Sequence, residues 1–409
     1  MLVHIWFGFF AISFSAALYQ WLINGHGTIF AELVQSTFDM AGLSVEVAIG
    51  LIGVLCLWLG FFRIAEQAGL IQILSRGLEP LFLKLMPEIP RGHPSHGSIT
   101  MNIAANMLGL DNAATPMGLK AMQDMQTLNP SKDTASNAQI LFLVLNTSSV
   151  TLLPVTIFMY RAQQGSSDPT AVFIPILLAT SASTLAGLLA VSYVQKIDLL
   201  NKVVLSYFAG FALLLSGFGS YLLSQPAEQI ASISSLLGNL ILFSLIMLFL
   251  SYGWWKKINV YDAFIDGAKQ GFDVAIKLIP YLVAMLVAIG LLRSSGVLDG
   301  LLAGIDTMLS LFGFNTDFIQ ALPTAFMKPL SGSGARAMML ETMNTHGVDS
   351  FPATLAAIMQ GSTETTFYIL AVYFGSVGIR HVRHAIACAL LADAAGISVA
   401  IMAGYWFFN

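Results

Sequence analysis

The feature that most constrains this chain is a succession of apolar runs, each close to the 20 or so residues that an α-helix needs to cross a bilayer. Only 10% of the 409 residues are charged, while 56% are hydrophobic. A soluble globular chain carries about a quarter charged residues. These properties predict an all-α, polytopic membrane protein and exclude a soluble enzyme. The runs predict about nine transmembrane helices and lie near residues 3–22, 43–62, 137–159, 171–195, 203–223, 232–254, 276–292, 353–376 and 384–408.

The charge balance and the cysteines exclude further classes of protein. With 18 Lys and Arg against 22 Asp and Glu, the chain has no basic excess to neutralise nucleic-acid phosphates. Cys56 and Cys388 lie in apolar runs, where a thiol behaves as a small hydrophobe, so we expect no disulfide. His93 and His96, in a loop that contains proline, are a weak metal pattern. The sequence has no phosphate-binding glycine motif and no nucleophile elbow, so we expect no enzymatic activity, no cofactor and no metal.

Two stretches, 101–128 and 318–345, mix apolar residues with Gly, Ser, Asn, Thr and Pro. Broken backbone at membrane depth is tolerated only where it is buried in protein or lines a cavity. Both stretches therefore predict re-entrant hairpins. Residues 28–41 and 261–274 are short and amphipathic, which predicts two interfacial helices.

The chain also contains an internal repeat. Four segments of the first half align in order with four of the second: 30–39 with 264–273, 60–63 with 290–293, the first hairpin with the second, and 146–151 with 361–366. The run 203–223 has no counterpart. The four spans of the first repeat and this linker span together make an odd number of crossings. The second repeat is therefore inverted in the membrane relative to the first, as in many transporters. We divide the chain into a first repeat at 1–198, a linker helix at 199–230 and a second repeat at 231–409.

The positive charges indicate an orientation. If the N-terminus is cytoplasmic, 14 of the 18 Lys and Arg residues fall on the cytoplasmic side. The other four, Arg161, Arg293, Lys328 and Arg336, fall outside. The positive-inside rule then predicts a multi-pass protein of the cell inner (plasma) membrane, with a cytoplasmic N-terminus and an extracytoplasmic C-terminus.

Two polar clusters interrupt the third and eighth apolar runs at equivalent positions of the two repeats. A single Ser or Thr commonly bonds its own helix or a neighbouring one. Two matched clusters instead favour two broken helices whose amides, carbonyls and hydroxyls line a solute site. The candidate site residues in these clusters are Asn146, Thr147, Ser148 and Ser149 in the first, and Gln360, Ser362, Thr363, Glu364 and Thr365 in the second.

Glu364 is the most costly of these residues, because an acid at the bilayer centre costs about 2.5–3.5 kcal/mol on insertion scales. We expect its partner to be Arg336, which follows Ser331 and Ser333 at the tip of the second hairpin. One interpretation is a static ion pair that locks the hairpin to the helix. The other is a carboxylate that binds substrate or exchanges a proton during transport.

The first hairpin carries Asn112 and Thr115, which can donate and accept hydrogen bonds to a ligand. Asp111 either joins them or caps the helix that follows.

Three other acids lie outside the candidate site. We expect Asp39 and Asp273 to cap the spans that follow them. Asp393 is expected near Arg380, Arg383 and His384, and both a structural pair and a proton relay remain open there.

Several segments resemble a known group of membrane proteins. Asn106-Met-Leu-Gly-Leu-Asp-Asn-Ala-Ala-Thr-Pro-Met-Gly-Leu-Lys-Ala-Met122 and 145–150 resemble the spore maturation protein A family. Residues 328–335, 360–368 and 371–380 resemble the spore maturation protein B family. The chain looks like a fusion of the two. Their group shares a gate, or nucleoside-recognition, domain with concentrative nucleoside transporters and the ferrous iron transporter B. The resemblance implies a similar fold and transport through paired hairpins and broken helices, but it does not supply a substrate.

We therefore expect a secondary transporter of a small polar solute, such as a nucleoside, an amino acid or a short peptide. Neutral hydroxyl and amide groups with one acid and one base suit such a solute better than a bare metal ion. Coupling would use protons through Glu364 or sodium through unwound carbonyls. Related transporters form homo-oligomers, which we also expect here. The alternatives are a membrane scaffold or partner subunit without flux, and an ion or metal transporter.

Overall fold

The computed structural model describes residues 2–109, 111–224, 227–313 and 315–408, and over these residues the chain is helical apart from its loops and one isolated bridge. The side chains at 2–5, 111–113, 214–215, 218–219, 222–223 and 227–231 are outside this description. The helices are α1 (Leu2–Leu22), α2 (Ile29–Ala68), α3 (Leu70–Leu85), α4 (Pro94–Met107), α5 (Asp111–Gln126), α6 (Asn137–Thr147), α7 (Val155–Gln163), α8 (Phe173–Gln195), α9 (Lys202–Leu223), α10 (Ala227–Trp255), α11 (Val260–Ser294), α12 (Val297–Ser310), α13 (Leu322–Met327), α14 (Gly332–His346), α15 (Phe351–Gly361), α16 (Thr366–Ser376) and α17 (Ala385–Phe408).

Among the described residues, five helices are long and apolar enough to cross a membrane, namely Ile29–Ala68, Phe173–Gln195, Ser232–Trp255, Val260–Ser294 and Ala385–Phe408. Large apolar side chains such as Phe38, Leu240 and Met402 are exposed on their outer faces. Such a surface suits lipid. The chain is therefore an all-α, multi-pass membrane protein, as its sequence predicts, and the total of nine crossings stays a prediction.

The expected interfacial helices at 28–41 and 261–274 are not separate elements. Each is the first part of a continuous helix, because neither junction with the following span contains a polar cluster, and Pro280, just beyond the second junction, lies inside α11 without ending it. At about 1.5 Å per residue, the 40 residues of α2 extend about 60 Å, twice the thickness of the hydrocarbon core. Asp39 consequently caps nothing. It lies within α2 and accepts a hydrogen bond from Gln35 one turn earlier (2.8 Å).

The two halves pack antiparallel to one another. Near one end of the α2–α11 contact, Gly271 lies against the backbone of Cys56, and near the other end Gly290 lies against Ser36 and Met40. These glycines let the helices approach closely, as small residues do between membrane helices. Helices α8 and α17 also run antiparallel, because Gly187 faces Ala392 while Gly396 faces Ser183. In addition, α1 packs on α11 and α10 packs on α2, so the contacts are reciprocal.

The buried core is shared between the halves. One cluster combines residues of α7, such as Ile157 and Phe158, and of α2 and α8, with a larger number from α11 to α15 of the second half. Another combines Tyr373 and Phe374 of α16 with α3 to α6 of the first half. The short helices α7 and α16 are thus exchanged, because each is buried largely among helices of the other half. The polar residues next to these exchanged helices meet between the halves.

Candidate functional site

Both predicted interruptions are present as breaks between short helices. α6 ends at Thr147 and α7 begins at Val155, while α15 ends at Gly361 and α16 begins at Thr366. The two breaks contact each other, since the backbone N–H of Glu364 donates to the carbonyl of Thr147 (2.8 Å). The polar residues that the sequence singled out are therefore brought together at the interface of the halves.

Each break is bound in the same way by the tip of a helical hairpin. The first hairpin consists of α4 and α5, and the second of α13 and α14. The N–H of Leu152 donates to the carbonyl of Met107 (2.9 Å), and the N–H of Phe367 donates to the carbonyl of Pro329 (3.0 Å). Leu152 lies in the first break and Phe367 in the first turn of α16, so neither amide has an acceptor in its own helix, and the hairpin supplies one. The first tip turns at Gly109, which has a φ of 70°. The second ends at Ser331, whose hydroxyl accepts from the N–H of Gly334 (3.1 Å).

Two adjacent cavities lie between these hairpins and breaks, with volumes of about 740 Å³ and about 90 Å³. Five residues line both: Asn106, Gly332, Arg336, Glu364 and Thr365. The larger cavity is also lined by aromatic and aliphatic side chains of α11 and α16. The pair of cavities thus has a polar end and an apolar wall.

Most of the predicted site residues line these cavities. They are Thr115, Asn146, Ser331, Ser333 and Arg336 together with Gln360, Thr363, Glu364 and Thr365. The amide of Asn146 accepts from Asn106 (2.8 Å) and donates to the carbonyl of Phe142 (3.0 Å). This ties the first hairpin to the first broken helix by side chains as well as by backbone.

Four predicted residues do not line either cavity. The hydroxyls of Thr147 and Ser148 donate to the carbonyl of Val144, and that of Ser362 donates to the carbonyl of Met359. These hydroxyls bond their own helices, the structural role that is common for Ser and Thr in membrane helices. Ser149 is also buried, and among the described residues its hydroxyl has no hydrogen-bond partner. Asn112 is the second residue of α5, but its side chain is outside the described part.

The expected ion pair between Arg336 and Glu364 is not formed. Among the described residues no ion pair within 4.0 Å joins them, although both line the same cavities. The guanidinium of Arg336 instead lies over the ring of Tyr160, 5.2 Å from its centre. Neither charge is therefore neutralised by the other.

Sequence reasoning missed two charged residues beside the site. Lys328 was assigned to the outer surface, but it is 4% exposed and lines the smaller cavity. Asp393 was expected near Arg380, Arg383 and His384. Asp393 instead accepts from the hydroxyl of Thr366 (2.7 Å) and interacts electrostatically with Lys328, because its turn of α17 faces the second break. The only signal for its burial was that Asp393 lies eight residues, or about two turns, beyond the start of the apolar helix α17.

Contacts made by loop residues join the halves at both ends of the molecule. At one end, Arg161 donates to Asp349 (3.1 Å) and is itself 2% exposed. Partial burial opposes ionisation of Asp349, but hydrogen bonds from Ser166 and Ser167 and the charge of Arg161 lower the pKa of its carboxyl. At the other end, the carbonyl of Asp133 accepts from the backbone N–H groups of Arg380 (2.8 Å) and His381 (2.9 Å).

The sequence matches the family described as nucleoside recognition, the Gate domain, at residues 48–163 and again at 275–380. The chain is 41% identical over 168 residues to spore maturation protein A of Bacillus subtilis (strain 168), an alignment that covers 41% of this chain and 85% of that protein. It is 42% identical over 153 residues to spore maturation protein B of the same organism, covering 37% of this chain and 84% of that protein. No solved structure matches. The chain therefore belongs to the spore maturation protein A/B family of membrane proteins with nucleoside-recognition (Gate) domains.

Proposed function

We propose that the protein is a secondary transporter of a small polar solute, which binds between the two hairpins and the two broken helices. The observation that carries the proposal is the matched pair of tip contacts, Leu152 to Met107 and Phe367 to Pro329, together with a cavity of about 740 Å³ that residues of both hairpins and both broken helices line. That volume is within the range of small-molecule sites. Irregular backbone at membrane depth is expected where it lines such a cavity.

The reciprocal packing of the halves supports inverted repeats. The antiparallel pairs α2–α11 and α8–α17 and the exchanged contacts of α1 and α10 are what a two-fold axis in the membrane plane would generate. In transporters with this symmetry the solute site lies at the repeat interface near the midplane. The concentrative nucleoside transporters, which the sequence resembles, are our proposed fold analogue.

The two loop contacts are the proposed gates. The pair Arg161–Asp349 closes one end, and the backbone contacts of Asp133 with Arg380 and His381 close the other. Opening one contact while the other stays closed would expose the cavity to one side at a time. Both contacts join one half to the other, so a rocking of the halves would open them in turn.

The burial of positive charges supports a cytoplasmic N-terminus in the inner membrane. Of the four cations expected outside, Arg161 and Lys328 are buried, Arg293 pairs with Glu341 (2.6 Å), and Arg336 lies over Tyr160. These four charges bind protein groups inside the molecule. The remaining Lys and Arg residues are those assigned to the cytoplasmic face, which strengthens the bias that the positive-inside rule uses.

The test is a solute screen on purified protein, followed by uptake into proteoliposomes under proton and sodium gradients. A ligand at about 100 times its Kd should stabilise the fold by about 2.7 kcal/mol, which raises the melting temperature visibly. We expect Glu364→Gln to lose this shift and the uptake, while Glu79→Gln, on the exposed face of α3, keeps both. A blank screen with both variants folded, and a protein partner that copurifies, would favour a scaffold instead.

A further inference from the structure

The charges at the polar end of the cavities indicate what kind of solute fits. Arg336 and Glu364 line both cavities, but among the described residues they form no ion pair with each other. The third charge there, Lys328, lines the smaller cavity and interacts electrostatically with Asp393. Arg336 and Glu364, held apart at membrane depth, each still require a compensating charge. A solute that carries one negative and one positive group would supply both, whereas an uncharged solute would supply neither.

Gln360 gives an independent indication. Its side chain is 6% exposed, and within the described structure its Oε1 atom has no hydrogen-bond partner. Gln360 lines the smaller cavity together with Glu364. Because an amide oxygen only accepts and a buried acceptor is costly to leave unpaired, a ligand there has to present a hydrogen-bond donor. A primary ammonium group meets this requirement and also neutralises Glu364.

The opposite group of the solute would lie at the start of α14. The hydroxyl of Ser331 already accepts from Gly334, so the amides of Gly332 and Ser333 are the helix donors left without an intrahelical acceptor. Both residues line the larger cavity with Arg336. A helix N-terminus beside a guanidinium is a favourable site for a carboxylate.

Beyond the charged groups and the polar side chains of Asn106, Thr115 and Asn146, the larger cavity is mainly apolar. Its wall consists of aliphatic and aromatic side chains: Leu278, Tyr281, Leu330, Tyr368, Ile369 and Tyr373. A volume of about 740 Å³ leaves room for a large side chain beyond the charged groups.

We propose that the solute is a zwitterionic α-amino acid with a large apolar or aromatic side chain. Its carboxylate binds the first amides of α14 and Arg336, and its ammonium group binds Glu364 and the Oε1 atom of Gln360. This inference rests on the proposed transport function and names the substrate class of the same site.

The test is calorimetric titration of the full-length purified protein with four probes. They are L-phenylalanine, its methyl ester without the negative charge, N-acetyl-L-phenylalanine without the positive charge, and uridine without either. We expect L-phenylalanine to bind, and each blocked derivative to bind about tenfold or more weakly, because each loses one charge-assisted contact.

Two variants should separate the two ends of the solute. Arg336→Gln should weaken the binding of L-phenylalanine about tenfold or more and leave that of the methyl ester unchanged. Glu364→Gln should weaken L-phenylalanine similarly and leave N-acetyl-L-phenylalanine unchanged. The matched controls Arg76→Gln and Glu79→Gln, both on the exposed face of α3, should bind like the unmodified protein.

The outcomes distinguish this inference from the proposed function. Equal binding of L-phenylalanine and its two derivatives would overturn the inference, since neither charge would then matter. Uridine binding that depends on Glu364, with every L-amino acid inert, would overturn it too, while leaving a transporter of another polar solute. The proposed transport function itself would be refuted only if both the wider solute screen and the uptake assay gave no signal.

Discussion

Removing the carboxylate of Asp349 should destabilise the contact between the halves. Asp349 accepts from Arg161 (3.1 Å), from the hydroxyl of Ser166 (2.5 Å) and from the backbone and side chain of Ser167. Breaking a buried pair costs about 3–5 kcal/mol because the remaining charge is stranded. The side chain of Arg161 is 3% exposed but that of Asp349 is 41% exposed, so water compensates part of this cost. We expect Asp349→Ala to lose about 1–3 kcal/mol.

Thermal unfolding in detergent measures this loss against a matched ion pair on the surface. Asp266 lies 3.8 Å from Lys269, and both side chains are more than half exposed. An exposed pair of this kind contributes about 0–1 kcal/mol, so Asp266→Ala should leave the melting temperature nearly unchanged. Asp349→Ala should lower it by several degrees. Equal shifts for the two variants would refute the argument that the burial of Arg161 makes its partner necessary.

The pH dependence of the same comparison has a definite sign. Partial burial raises the pKa of the Asp349 carboxyl. The hydrogen bonds from Ser166 and Ser167 and the charge of Arg161 outweigh this effect and hold the pKa below its ordinary value. A group whose pKa is lowered by folding stabilises the protein above its unfolded pKa, and loses this contribution as the pH falls through its folded pKa. The difference in melting temperature should therefore persist from about pH 8 to about pH 5 and shrink only below about pH 4. A difference that disappears above pH 5 would contradict this assignment.

Three further changes probe other contacts. Gly271→Leu should destabilise the fold by about 1–3 kcal/mol in thermal unfolding, because even a Cβ atom there meets the backbone of α2. Thr366→Val should cost about 1–3 kcal/mol in the same assay, because the carboxylate of Asp393 loses its 2.7 Å donor. Thr134→Cys combined with His381→Cys should form a disulfide, because the two residues pair in a bridge, and oxidation should block solute uptake until the bond is reduced.

Controls accompany these changes. A Cβ atom at Gly300 meets no heavy atom within 4 Å in the described structure, so Gly300→Leu should be tolerated. Thr366→Ser keeps the hydroxyl and should retain most of the stability. A crosslink at 134 and 381 that forms fully and leaves uptake unchanged would show that this end of the molecule is not a gate.

The sequence predicts the breaks and hairpins well because their residues contrast with an apolar background. The clusters at 146–149 and 360–366 and the glycine-rich tips have compositions that no lipid-facing helix carries, and the structure has interruptions at these positions. The sequence also indicates that the clusters meet, because they occupy equivalent positions in the two repeats. Local composition and internal alignment are sufficient for these conclusions.

The partners of individual charges could not be predicted in this way. Lys328 and Asp393 are 65 residues apart in the sequence, and only the packing of α17 against the second break brings them together. The position of Arg336 at the tip of the second predicted hairpin suggests Glu364 as its partner, whereas its guanidinium lies over the ring of Tyr160 in the other half. The packing of α17 within the second half supplies the first partner, and the burial of α7 among helices of the second half supplies the second. Single-sequence patterns carry no direct record of either.

This exchange leads to a last prediction, that neither half folds alone. α7 is nine residues long, too short to span a bilayer, and its Ile157 and Phe158 are buried in a core built largely from the second half. The carbonyl of Thr147 at the first break accepts from Glu364 of the second half. Each half alone would expose a break without its partner. In lipid an unpaired backbone group at such a break costs several kcal/mol.

Fragments 1–198 and 199–409, cut in the loop between α8 and α9, should therefore associate when they are coexpressed and should aggregate or be degraded when expressed singly. Affinity capture through a tag on one fragment, followed by size-exclusion chromatography and thermal unfolding, measures this association. The coexpressed pair should unfold in one transition near that of the intact chain. A single fragment that is monodisperse and unfolds cooperatively by itself would show that the exchanged helices are not needed for folding, and would weaken the argument that the solute cavity depends on both halves.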